Sequence, residues 1–153
     1  MAAGRAASGA AGVQTFEGLP DLVGGLKAVP GCLGAEVAVT ASGKQVIFAW
    51  FEDKKAVLRW YHSDVHQKIM RTYFSKYETR GPLREVPDEI GPIMAVASLT
   101  LAPRSGFETT SAPVAQISIE LYTPLTGGIF LGGRFAPESL EVSGMKKLRA
   151  EGG

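Results

Sequence analysis

The run Val46-Ile47-Phe48-Ala49-Trp50-Phe51 offers water no polar side chain. As a strand it points Val46, Phe48 and Trp50 one way and Ile47, Ala49 and Phe51 the other, because side chains alternate. Both faces are apolar, so both must be covered. One cover is the segment that follows. The other is a further layer of this chain or a second subunit, and symmetric pairing of identical chains is the commonest solution.

Glu52-Asp53-Lys54-Lys55 leads from this strand into a helix predicted over 54–74. At 100° per residue, Val57, Leu58, Tyr61, Val65 and Ile69 form its apolar stripe. His62 and His66 lie on one edge of the stripe with Tyr73 near them, and Trp60 lies on the other. Upstream, Leu19, Leu22, Val23 and Leu26 share a face of a short helix that Pro20 opens and Pro30-Gly31 ends. A first strand is expected at 13–16. Strands at 36–40 and Gln45–Phe51 flank Ala41-Ser42-Gly43-Lys44 and read as a hairpin.

Beyond the long helix, 75–92 is a lengthy proline- and glycine-bearing connection. Three further strands are predicted at Ile93–Leu101, Val114–Tyr122 and 129–135. Pro113 and Pro124 bracket the middle one, which suits a sheet edge. Thr126-Gly127-Gly128 reads as the turn of a C-terminal hairpin. The order is that of an α+β fold, an antiparallel sheet with helices on one face.

With 153 residues the chain is expected to form one domain, 13–144, between flexible tails at 1–12 and 145–153. The first of these is rich in Ala, Gly and Ser and also has the composition of an organelle presequence. A net charge of +1, from 16 basic and 15 acidic residues, argues against nucleic acid as a partner. No stretch reaches the ~20 apolar residues of a membrane span, and the single cysteine, Cys32, excludes an internal disulfide. A cytoplasmic protein is expected, with Cys32 as a small buried filler.

His62 and His66 stand four apart, but Ser63 occupies the place where a zinc-protease helix needs its glutamate. No third or fourth ligand is spaced to complete a metal site, so neither metal nor cofactor is expected. The two histidines are either partly exposed surface groups or an acid/base pair, since histidine titrates near neutrality. Trp50, Trp60, Tyr61, Tyr73 and Phe48 either fill the core or line a pocket for an aromatic molecule. The paired glycines Gly127-Gly128 and Gly132-Gly133 lack a nucleotide-loop context and read as turns. Arg134 beside them reads as a rim arginine or an anion contact.

Trp50-Phe51-Glu52-Asp53 and Ser63-Asp64-Val65-His66, with the aromatic strand and helix around them, resemble the antibiotic-biosynthesis monooxygenase-like proteins. These belong to the ferredoxin-like, dimeric α+β barrel superfamily, and the resemblance spans about 30–101. It implies a homodimer that binds a small apolar or aromatic molecule and oxygenates it without a cofactor. Trp60 would then stack on substrate, and His62 or His66 would take a proton from a phenol. Trp50, Tyr61, Tyr73 and Met70 would complete the binding site. The chain contains no asparagine, and Met70 stands where heme-degrading members place the histidine that binds iron. The resemblance therefore equally accommodates a non-catalytic dimeric ligand-binding or stress-response module.

Overall fold

The computed structural model describes residues 21–76 and 81–150. The strand expected at 13–16 and the tail 1–12 lie outside them. The described elements run α1 (Leu22–Lys27), β1 (Cys32–Val39), β2 (Gln45–Phe51), α2 (Lys54–Tyr61), α3 (Asp64–Tyr73), β3 (Ile93–Leu101), β4 (Val114–Tyr122), β5 (Ile129–Leu131) and β6 (Lys146–Leu148). The fold is α+β and ferredoxin-like in class. Four strands form an antiparallel sheet in the order β1-β2-β3-β4, and β5 and β6 form a separate pair.

The hairpin β1–β2 closes where expected. Thr40 N–H donates to the Lys44 carbonyl at 2.9 Å, and the Thr40 hydroxyl accepts from Lys44 N–H at 2.9 Å. The ladder sets Phe51 opposite Ile93, Ala49 opposite Ala95 and Ile47 opposite Ala97. This face meets the helices. Phe51 and Ala56 are 0% exposed and pack with Leu26, Ala49, Val57 and Ile93. Full burial of a side chain such as Phe51 is worth roughly 1.5–3 kcal/mol.

The connection 75–92 has a structural role over its described part. Leu83, Val86 and Ile90 pack onto the same core. Lys54 Nζ donates to the Val86 carbonyl at 2.7 Å and to Asp88 Oδ1 at 2.8 Å. The Asp88 carboxylate is largely exposed, so the ion pair adds little. The carbonyl bond fixes the loop.

The helix predicted over 54–74 is two helices. Ser63 is the reason: its hydroxyl donates to the Trp60 carbonyl at 2.7 Å and accepts from His66 N–H at 3.2 Å, capping α3. Asp53 caps α2 in the same manner, accepting from Ala56 N–H at 2.9 Å. Each such cap satisfies a backbone donor that the first helical turn leaves open.

The second face of the sheet carries Trp50 and Phe48 on β2, and its cover comes from this chain. Phe135 sets its ring edge-on to Phe48 at 4.8 Å and to Trp50 at 5.1 Å. Pro137 lies over Gly34. The apolar face expected to be covered by a further layer or a second subunit is thus occupied at β1–β2 by 135–137 of this chain. Two expectations are corrected here. β5 ends at Leu131 and pairs in parallel with β6, so there is no hairpin between β4 and β5. Lys146–Leu148 is therefore a strand, where a frayed tail was expected from 145. A parallel partner needs a long connection, which the intervening segment provides. On β3 the same face carries Met94 and Val96 beside Trp50 and Phe48 and then turns polar: Ser98 and Ser118 hydroxyls lie 2.9 Å apart, and Thr100 donates to Gln116 Oε1 at 3.1 Å. β4 is an edge strand, as its flanking prolines suggested.

Candidate functional site

The break between α2 and α3 creates the site. His62 becomes the C-cap of α2, and His66 falls in the first turn of α3. The two no longer share one continuous helix face. His66 folds back instead, its Nδ1 lying 3.0 Å from the Tyr61 carbonyl. A carbonyl can only accept, so Nδ1 carries the proton of this bond. In the neutral ring, Nε2 is then the free base. Gln67 Nε2 donates to the same carbonyl at 2.6 Å, holding it in place.

Aromatic rings flank the imidazole. Trp60 stands edge-on to His66 at 5.4 Å, and Tyr61 is tilted against it at 4.9 Å. Tyr61 also meets the exposed His62 ring at 5.2 Å. Partial burial among these groups holds the His66 pKa below its ordinary value of 6.5. The bond to the Tyr61 carbonyl offsets part of that shift, and the nearby His62 adds to it. His66 is thus neutral near pH 7 and suited to accept a proton.

Linkage gives this a measurable sign. The folded-state pKa lies below the unfolded value, so the unfolded chain binds the proton more readily in acid. The stability His66 contributes is fully present above pH 6.5. It is lost as pH falls through the folded pKa. Urea unfolding from pH 8 to pH 5 should show an acid-side loss that His66→Gln reduces. An unchanged pH slope in the variant would refute the assignment.

Trp60, Tyr61, His62 and His66 are thus brought together. Met70 and Tyr73 follow His66 along α3 at i+4 and i+7, on the same side of the helix. Tyr73 ends that row beside an open depression of ≈ 290 Å³, lined also by Lys76, Phe107, Thr110 and Ser111. The Tyr73 carbonyl accepts from the Thr110 hydroxyl at 2.6 Å and from Ser111 N–H at 3.1 Å, which joins α3 to the strand β4 beyond. Trp50 is elsewhere. It is 4% exposed and stacks with Phe48 and Phe135 on the opposite face of the sheet from Trp60.

Gln67 and Thr110 were not singled out in the sequence. Ser63-Asp64 directly after His62 carries the signal for the first: a cap residue there restarts the helix and brings the next turn back toward Tyr61. Nothing local points to Thr110, which reaches Tyr73 across 37 positions. Cys32 is half-buried, and burial pushes its thiol pKa up, which leaves it protonated and inert. Among the described residues, no group of three or more His, Cys, Asp or Glu could hold a metal ion. Nor is any described helix long and apolar enough to cross a membrane.

Comparison with curated proteins finds no match, and comparison with solved structures finds none either. A family model does match. Residues 13–72 fit the one described as antibiotic biosynthesis monooxygenase, a span that takes in α1 to α2 and α3 up to Thr72. Residues 13–72 are thus similar to the antibiotic biosynthesis monooxygenase family, and the α+β sheet they help to build is of its ferredoxin-like class.

Proposed function

We propose that this protein binds a small apolar or aromatic phenol at the α2–α3 junction and oxygenates it without a metal or flavin. One observation carries the reading: His66 is pinned through Nδ1 to the Tyr61 carbonyl, between the Trp60 and Tyr61 rings. That arrangement presents Nε2 as a base beside a stacking surface. Nε2 takes the phenolic proton, and the electron-rich phenolate then reacts with dioxygen. One oxygen atom enters the ring to give a quinone; the other leaves as water with the two hydrogens the substrate loses. Protonation of His66 and its return to neutrality complete the cycle.

A second reading has its own support. The ≈ 290 Å³ depression lies at the Tyr73 end of α3 rather than at His66, which suits a module that holds a ligand without transforming it. Oxygen uptake and native mass spectrometry with a panel of hydroxylated naphthalenes and anthrones separate the two. The catalytic reading expects uptake in the wild type and its loss, by roughly 10²–10⁴-fold, in His62→Ala/His66→Ala with the fold retained. Full uptake in that variant would refute it. A ligand that stays bound in both proteins with no uptake in either would favour the module.

A further inference from the structure

The short pair β5–β6 is anchored from one face. Arg134 Nη2 donates to the carbonyls of Pro137 and Glu138, each at 2.9 Å, and to that of Leu140. Phe130 presents its ring to this guanidinium, whose carbon lies 5.5 Å from the ring centroid. Phe130 is the middle residue of β5, so its neighbours Ile129 and Leu131 point the other way. The ladder sets Lys146 beside Ile129 and Leu148 beside Leu131 on that outer face. Ile129, Leu131 and Leu148 are 62%, 56% and 45% exposed, and Leu125, in the turn that leads into β5, is 83% exposed. That turn is tied down: Gly127 N–H donates to the Ser143 carbonyl at 2.7 Å, and Lys146 N–H to the Gly128 carbonyl at 3.0 Å.

The same stretch is basic. Lys146, Lys147 and Arg149 are exposed, and none of them pairs with a carboxylate among the described residues. Segments 123–131 and 146–149 together hold these three cations and no acidic residue, in a chain whose net charge is only +1. Apolar side chains this exposed, rimmed by charge, mark a contact surface. A nucleic acid would use the cations and leave the leucines in water. A second copy seated here about a two-fold axis would set the same cations against their own counterparts, which repel. A bilayer with acidic headgroups suits both features: its surface is negative, and its acyl boundary accepts apolar side chains.

We infer that the outer face of β5–β6, with the turn carrying Leu125, is a docking surface for an anionic lipid bilayer. Leu125, Ile129, Leu131 and Leu148 enter the boundary between headgroups and acyl chains, and Lys146, Lys147 and Arg149 meet the acidic headgroups. The contact is peripheral, since no described helix is long and apolar enough to cross a membrane. It stands independently of any reaction at His66.

Co-sedimentation of the full chain with vesicles tests this. The protein should pellet with vesicles of phosphatidylcholine and phosphatidylserine in equal parts, and not with phosphatidylcholine alone. Binding should weaken as salt is raised, because the attraction acts over about a Debye length. Lys146→Gln/Lys147→Gln/Arg149→Gln should weaken it by about 10²-fold, roughly fivefold per cation. Leu125→Ser/Ile129→Ser/Leu131→Ser should weaken it by roughly 10²-fold or more. All these side chains are exposed, so the thermal transition should stay. If the apolar variant loses that transition, Leu125→Ser alone decides, with a loss of about tenfold. Absence of wild-type binding would overturn the proposal, and so would equal binding to the uncharged vesicles. Full binding by the apolar variant would reduce the contact to electrostatic adsorption and overturn it; full binding by the glutamine variant would do the same from the other side. An apolar variant whose sedimentation velocity changes while its vesicle binding does not would assign the patch to a seam between copies and end the idea.

Discussion

Phe51→Ala is expected to lower unfolding free energy by about 3–5 kcal/mol. Phe51 is fully buried at the end of β2 and packs against α1, α2 and β3 together. Backbone on every side fixes its neighbours: β1 and β3 are hydrogen-bonded to β2, and Asp53 caps α2 just after it. The cavity cannot collapse, which places the cost high in the usual range. Small domains hold only ~5–15 kcal/mol in total. Urea unfolding should therefore show a much lower midpoint with a similar slope. A loss below about 1 kcal/mol would mean that the helices are not seated on the sheet as described.

Gly31→Ala should cost about 2–5 kcal/mol, from two sources. Its φ of +91° is a left-handed conformation that penalises a side chain by roughly 1–2 kcal/mol. The new Cβ would also lie 2.6 Å from the Cβ of the fully buried Ala56. Overpacking of that kind costs roughly 1–3 kcal/mol. The Gly31 carbonyl accepts from Glu52 N–H at 2.9 Å, and Arg59 Nη1 donates to the Pro30 carbonyl at 2.9 Å. The turn thus has little room to shift. Gly43→Ala is the control: its φ is the same, but nothing lies within 4 Å of the new atom. It should lose only the conformational part. Equal losses in the two variants would remove the packing argument.

The strands were legible wherever alternation was strong. Ile93–Leu101 and Val114–Tyr122 stand where hydropathy puts them, because each has one face that must be buried and prolines that mark its ends. The helical region was legible in composition and not in continuity. A stripe at Val57, Tyr61, Val65 and Ile69 fits one long helix as well as two short ones. Only the local chemistry of Ser63, competing for backbone bonds, decides between them. The candidate site followed that error: the four residues at the junction were identified, but their geometry was not. Trp50 reads equally as core or as pocket lining from its aromatic character alone; strand parity sets it on the face opposite the helices. The cover over Phe48 and Trp50 was illegible for a different reason. Arg134 gathers the carbonyls of Pro137, Glu138 and Leu140 there, and carbonyls are present at every position of any sequence.

Each strand of the main sheet pairs with its neighbour in the chain, from β1 through β4. Such contacts close short stretches and favour rapid assembly. As the chain leaves the ribosome, the sheet and its helices can form while 129–148 are still being made, since synthesis runs from the N-terminus. Phe48 and Trp50 are then uncovered until 129–148 emerge. The interval between a finished sheet and the arrival of 129–148 is when this protein most needs a chaperone, and its aggregation in cells should track translation of that segment more than the stability of the completed fold.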